Sequence, residues 1–365
     1  MSQYDYLIVG SGITGAVFAH ELSKRGKRCL VIEKRGHIAG NIYDEDQNGI
    51  LVHRYGAHIF HTSKKEIWAY INQFGTFNHF VNSPVANYKG KLYSLPFNMN
   101  TFYQLWGTVT PQQVMLRLED ERIIYPHEPR NLEEQALSLV GPSLYEKLIK
   151  GYTEKQWGQP CRALPTFIIR RIPLRFTYDN NYFNDCYQGV PVEGYTSLVK
   201  KMLQNSEVRL QTDYFQERLF FNKIAKRIIY TGTIDRYFNY ELGQLAYRSL
   251  RFEDSCYDVP NYQGVAVMNF TDSETPYTRS IEHKHFQFGE QPHTIVTREY
   301  SLAWEQEQEP YYPINDDFNN ALFSKYQQLA EKETNTLFFG RLAQYRYYDM
   351  DKAIEAALLS VKAEI

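Results

Sequence analysis

The sequence predicts an α/β protein in which a Rossmann-like nucleotide-binding sheet is interrupted by a helical insertion and joined to an antiparallel sheet. Three observations carry this. Residues 4–34 hold a strand, a glycine-rich turn, a helix and a second strand in immediate succession. Apolar residues recur at helical spacing from about residue 100 to 158. Residues 245–300 instead alternate apolar and polar in several short runs, the pattern of strands with one buried face.

The N-terminal unit is the most specific of the three. Leu7-Ile8-Val9 is a short apolar strand, and Gly10-Ser11-Gly12-Ile13-Thr14-Gly15 is the tight turn after it. Ala16, Ala19 and Leu22 follow at helical spacing, Cys29-Leu30-Val31-Ile32 forms the second strand, and Glu33 ends it, 18 residues after Gly15. The first glycine permits the turn, the second lets backbone N–H groups approach a pyrophosphate, and the third lets helix and strand pack closely. The helix N-terminus brings unpaired donors and partial positive charge, which favour phosphate. A carboxylate at Glu33 suits ribose hydroxyls.

Farther along, residues 37–41 read as a loop over the bound dinucleotide, and residues 49–61 as extended chain broken at Gly56. Residues 83–98 read as a hairpin turning at Lys89-Gly90. In the helical tract, Leu132, Ala136 and Leu139-Val140 share one face, and Leu144, Leu148 and Ile149 another. Residues 165–188 mix prolines and aromatics as strand and loop. A short helix over Ser197–Leu203 precedes a buried strand, Arg227-Ile228-Ile229-Tyr230, which suits a return to the first sheet. The tail reads as a helix over 318–332, a strand over Thr336–Phe339, a turn at Gly340 and a helix from about Asp349 to Val361.

Bulk composition narrows the function. At 365 residues the chain is long for one domain, and its 43% hydrophobic content supplies an ample core. Forty Lys and Arg against 42 Asp and Glu leave a net charge of −2, which argues against nucleic acid and anionic membranes. Apolar runs fall short of the roughly 18 residues of a membrane helix. The four cysteines are scattered without a CxxC, which fits a reduced, cytoplasmic setting. His58 and His61, with His53, His283 and His285, lack companions at metal-site spacing, so no metal is expected. The 30 Tyr and 22 Phe are mostly packing residues, but flat side chains with polar tips also suit a large planar ligand.

Longer motifs resemble a known family. They are the N-terminal fingerprint, Tyr55-Gly56-Ala57-His58-Ile59-Phe60-His61-Thr62, Leu95-Pro96-Phe97-Asn98-Met99-Asn100-Thr101-Phe102, and Lys150-Gly151-Tyr152-Thr153-Glu154-Lys155-Gln156-Trp157-Gly158. To these add Arg171-Ile172-Pro173 with Asp179-Asn180-Asn181-Tyr182-Phe183, and Gly340-Arg341-Leu342-Ala343 with Tyr347-Tyr348-Asp349-Met350. Across essentially its whole length the chain resembles the bacterial UDP-galactopyranose mutases, flavin enzymes of nucleotide-sugar metabolism. The resemblance implies an FAD-binding domain over 1–80, 190–245 and 316–365. It implies a helical substrate lid over 99–164, and an antiparallel sheet domain over 81–98, 165–189 and 246–315.

By resemblance, FAD is held by Gly10, Ser11, Gly12, Thr14, Gly15, Glu33, Lys34, Gly40, Asn41, His58, Arg341, Tyr347, Asp349 and Met350. Tyr152 and Gln156 lie near uracil and Trp157 near the sugar, although read alone Tyr152 and Trp157 are packing residues at a helix end. Arg171 and Arg279 reach the diphosphate with Tyr182, Tyr312 and Tyr347, and Arg248 belongs to the same region. Read without the resemblance, Arg170, Arg171 and Arg175, crowded in one short stretch, are equally well solvated surface charge. Arg171, Arg279 and His58 are the catalytic candidates. Three positions depart from the family pattern: Phe339 and Glu193 stand for a glycine before Gly340 and Gly194, and Ala39 for one beside Gly40.

The activity implied is isomerisation of UDP-galactopyranose and UDP-galactofuranose with no net redox change. It runs through a covalent bond between N5 of reduced FAD and the sugar, with an external reductant keeping the flavin active. The family further implies a homodimer. Two other readings share the fold: a flavin oxidoreductase of the amine-oxidase or desaturase type, and a binding protein that has lost its flavin.

Overall fold

The computed structural model describes residues 2–169, 173–306 and 308–364. A five-stranded parallel sheet has the order Thr336–Phe338, Ala225–Tyr230, Tyr4–Val9, Cys29–Ile32 and Glu207–Arg209. Its central strand is flanked by the second strand of the N-terminal unit and by the strand expected to return to this sheet. The edge strand Glu207–Arg209 and the helix Arg218–Ile224 were not expected, because Glu207-Val208-Arg209 has a single apolar residue with which to signal a strand.

Helix Ile13–Lys24 packs on this sheet and against helices Met350–Glu364 and Gly194–Leu203. Ala16, Val17, Phe18, Ala19 and Leu22 are fully buried there. Beneath the other face, Tyr214, Tyr230, Tyr237 and Phe338 pack ring to ring, which absorbs part of the aromatic excess.

The second sheet has seven strands in the order Tyr312–Pro313, Tyr247–Tyr257, Thr294–Ala303, Arg279–Glu282, Val267–Phe270, Val85–Tyr88 and Lys91–Ser94. Most of its pairings are antiparallel; Val267–Phe270 runs parallel to Val85–Tyr88. Instead of short runs throughout, Tyr247–Tyr257 and Thr294–Ala303 are long strands of 11 and 10 residues that pair along their length. The hairpin turns at Lys89-Gly90, both at positive φ. Tyr187–Gly189 stands apart from this sheet and pairs with Phe60–Thr62.

Beside the hairpin edge of this sheet, helices Met99–Trp106, Pro111–Glu121 and Leu132–Leu144 enclose a separate core of Met99, Phe102, Val114, Leu118, Ala136 and Val140. Asn98 and Thr110 close capping boxes at the first two, and Asn131 caps the third. A wide π turn, Tyr145–Lys150, leads into helix Gly151–Trp157. Among the described residues no helix is long and apolar enough to cross a membrane.

Candidate functional site

The glycine turn is built by contacts that exclude side chains. Gly10 sits at φ +105°, and a Cβ there would lie 2.2 Å from Thr231 Oγ1. A Cβ on Gly15 would lie 2.1 Å from the Gly10 carbonyl oxygen. Around Gly12 the nearest neighbour is Gly40 Cα at 3.9 Å, and Gly12 faces a cavity. Gly12 occupies the N-cap of Ile13–Lys24 and offers no capping side chain, so first-turn N–H groups are available to an anion. Glu33, 6% exposed, closes the turn: Ser11 donates to it from N at 3.0 Å and Oγ at 2.8 Å, and Arg35 N at 3.1 Å. Its side chain also lines the cavity. The turn therefore fits a dinucleotide: close backbone approach, free donors and an acidic acceptor occur together.

The cavity has a volume of about 800 Å³ and runs from this turn to the cavity-facing side of the seven-stranded sheet. Lys34, Gly40 and Asn41 line its first end. There Glu309 bridges Lys34 at 2.6 Å and Arg35 at 2.7 Å, and Arg35 donates to Asn41 Oδ1 and stacks over Tyr55. In the middle stand His58, Gly340, Arg341, Asp349 and Met350. Asp349 and Met350 open the last helix there, with its N-terminal donors toward the cavity.

At the far end, the sheet register sets the chemistry. Asn269, Arg279 and Glu299 lie directly opposite one another on three neighbouring strands and so share a face. Glu299, 3% exposed, holds Arg279 in a bidentate pair, with Nε at 2.9 Å and Nη2 at 2.6 Å. Burial alone would lower the guanidinium's pKa, but Glu299, Tyr152 and Tyr312 together outweigh it, and Arg279 stays fully charged. Tyr152, Gln156, Tyr182, Tyr312 and Tyr347 surround it on the wall. Tyr312 and Tyr347 stack with centroids 5.8 Å apart. Burial pushes the Tyr152 hydroxyl up to about 12, so it is a neutral donor at physiological pH.

His58 is held from behind by other imidazoles. Its backbone N–H donates to His53 Nδ1 at 3.2 Å, and the backbone N–H of His53 donates to His283 Nδ1 at 3.2 Å. The His53 and His283 rings must each present a lone pair, so both are neutral. Burial, with His53, Arg341 and Arg279 adding to it, lowers the His58 pKa to about 3. Its Nε2 is buried without a protein partner and lines the cavity wall, as a group awaiting a ligand would.

Most residues named from the sequence thus meet on one cavity. Three do not line it. Ser11 is spent on Glu33. Trp157 packs on the core of the helical insertion. Arg248 donates through Nε to the Gln156 carbonyl at 2.8 Å and packs over Gly158, so it supports the end of helix Gly151–Trp157. Arg171 lies outside the described residues. Glu299, Arg35 and Glu309 were missed: each is one carboxylate or guanidinium among many, and only strand register or chain crossing brings it to the site.

The three departures from the family pattern are accommodated. Phe339 lies off the cavity wall, packed against Phe18 with centroids 4.9 Å apart. Glu193 is turned outward, paired with Lys201 at 2.6 Å, while Gly194 beside it takes φ +82° against the Asp44 carboxylate. Ala39 adopts φ +75° at a cost on the order of 1 kcal/mol. Phe339→Ala is expected to destabilise the protein by about 1–3 kcal/mol, less than a fully buried ring, without lowering flavin content. Urea unfolding and the flavin absorbance ratio check this; a colourless variant would mean that the ring shapes the cofactor site.

A family model described as UDP-galactopyranose mutase matches residues 147–347, and one described as an NAD(P)-binding Rossmann-like domain matches residues 8–74. A probable UDP-galactopyranose mutase of Klebsiella pneumoniae is 40% identical, over 98% of this chain and 94% of that one. A dTDP-fucopyranose mutase of Escherichia coli is 38% identical, over 98% of both. A crystal structure of reduced UDP-galactopyranose mutase superposes with TM-score 0.76 at 16% identity, covering 100% of this chain and 94% of that one. A putrescine oxidase shares the fold more loosely, with TM-score 0.62 at 11% identity over 99% of each chain. With near full-length relatives at this identity, and a family match across the segment that carries Tyr152, Arg279 and Tyr312, the chain belongs to the UDP-galactopyranose mutase family.

Proposed function

We propose that the protein interconverts UDP-galactopyranose and UDP-galactofuranose with FAD as its resident cofactor. The observation that carries this is the single cavity that joins a dinucleotide-accepting turn to a buried, carboxylate-braced arginine among tyrosines. When bound and reduced, FAD would supply a nucleophilic N5 for the anomeric carbon, the covalent route that the family resemblance implies. Gly10, Gly12, Thr14 and Gly15 would carry the pyrophosphate, Glu33 the ribose, and the last helix's N-terminus with Arg341 and His58 the ring system.

The protein's own part is grip and exclusion. Arg279, pre-oriented by Glu299, meets the β-phosphate where charge grows as the glycosidic bond breaks. Arg171 is assigned beside it by resemblance. Tyr152, Tyr312 and Tyr347, kept neutral by burial, and Tyr182 add hydroxyl donors, and charge-assisted bonds of this kind are worth roughly 1.5–3 kcal/mol each. Glu299 is committed to Arg279 and so is not free to serve as a general base. Neutral His58 can hydrogen-bond the cofactor without repelling the two arginines nearby.

Incubating dithionite-reduced and oxidised protein with UDP-galactopyranose, and in parallel with dTDP-fucopyranose, tests this. UDP-galactofuranose should form from the reduced protein alone. Equal turnover by both redox forms would sink the flavin assignment, and turnover confined to the dTDP sugar would reassign the substrate.

A further inference from the structure

Helix Gly151–Trp157 carries Tyr152 and Gln156, whereas Asn269 and Arg279 lie on strands that flank the connection 271–278. The two halves of the proposed UDP site are therefore separate pieces of chain whose spacing must be set by contacts between them. Three contacts set it. Thr271 Oγ1 donates to the Lys147 carbonyl at 2.7 Å. Gly151 packs backbone to backbone on the connection: a Cβ there would lie 2.4 Å from the Thr271 carbonyl oxygen. The third contact is Lys155, between Tyr152 and Gln156 in sequence. Its Nζ donates to the carbonyls of Phe270 at 2.8 Å, Thr275 at 2.9 Å and Tyr277 at 3.1 Å.

An ammonium has three donors, and all three are spent on one turn of main chain. Phe270 follows Asn269, and Tyr277 stands two residues before Arg279, so both ends of the clamped turn run directly into the cavity wall. We infer that Lys155 is a positioning residue, whose triply bonded ammonium sets the distance between the Tyr152–Gln156 face and Arg279 and so tunes affinity for the nucleoside diphosphate. This rests on the reading of the site as one for UDP.

Deprotonation would undo the clamp, because a neutral amine has two donors and turns a lone pair toward a carbonyl. Burial lowers the Lys155 pKa to about 8, with Asp272 opposing. The other charged and titratable groups around it are accounted for. Glu274 of the same connection pairs with Lys89, Arg298 lies over Tyr277, Glu154 accepts from Cys161 N and Lys150 pairs with Glu146.

The test is binding of UDP to the flavin-loaded, oxidised protein by titration calorimetry between pH 7.0 and 8.5, where uracil keeps its N3 proton. At pH 7.0, Lys155→Met should raise the Kd by at least about tenfold with flavin content unchanged. In the parent, Kd should climb about threefold toward pH 8.5 as the clamp gives up its proton, and in Lys155→Met it should be flat. Lys155→Gln repeats the comparison if the methionine variant loses flavin, and the parent's own pH dependence decides if both do. A Lys155→Met Kd within twofold of the parent, or a parent Kd that does not change with pH, overturns the inference. A parent that does not bind UDP at all overturns instead the substrate reading on which it rests.

Discussion

Arg279→Ala is expected to lower turnover of UDP-galactopyranose by a factor on the order of 10² to 10³, the usual effect of removing one pre-oriented group from developing charge. The substitution does two separate things. It removes the guanidinium proposed to grip the diphosphate, and it leaves Glu299 buried without its partner. Stripping one member from a buried ion pair costs about 3–5 kcal/mol, so a fall in melting temperature should accompany the fall in rate. The paired replacement Arg279→Met with Glu299→Leu separates the two. It removes both charges, so stability should return toward that of the parent, while turnover should stay low. Arg279→Lys keeps a charge but cannot form the bidentate pair, and it should recover only part of the activity. Rates, melting temperatures and flavin content of the three variants decide the matter. If the double replacement turns over like the parent, Arg279 is a structural residue and the phosphate assignment is wrong.

The contrast between Arg279 and the N-terminal turn also shows where sequence reading runs out. The turn is legible because its task is local: strand, glycines, helix and acid lie within 30 residues, and each must have its type for the backbone to close. The hairpin at Lys89-Gly90 and the helix faces around Leu132 and Leu144 are legible for the same reason. Glu299 is not. Its role comes from lying opposite Arg279 in a register set by the whole length of Thr294–Ala303, and nothing nearby in the chain signals it. Trp157 and Arg248 show the reverse case. Their residue types suit sugar and phosphate, but the structure spends Trp157 on the insertion's core and Arg248 on the Gln156 carbonyl. Phe339 looks disruptive beside a cofactor loop until its ring is seen to pack on Phe18, on the side away from the cavity.

Two glycines of the same turn should fail in different ways. In Gly15→Ala the new methyl would lie 2.1 Å from the Gly10 carbonyl oxygen and 3.2 Å from Ile8 Cγ2. Neither the carbonyl nor the central strand behind it can yield, since Gly10 N is bonded to Ile32 O at 2.9 Å and the strand is paired on both sides. Helix Ile13–Lys24 must then lift from the sheet. The cost should reach or exceed the roughly 1–3 kcal/mol typical of overpacking, because main chain rather than a side chain has to move. The variant should melt well below the parent even when both are stripped of flavin. Gly12 differs. Its φ of −66° suits alanine, and the new methyl meets nothing closer than Gly40 Cα at 3.9 Å. The flavin-free Gly12→Ala protein should therefore melt with the parent, while its methyl stands where a pyrophosphate must approach the backbone and FAD affinity falls by at least about tenfold. Thermal melts of the apoproteins and FAD titrations of each measure the two effects independently. An apo Gly15→Ala that melts with the parent would refute the packing argument. A Gly12→Ala variant that takes up FAD normally would remove the pyrophosphate from this turn, and with it the physical reason for placing a dinucleotide in the cavity.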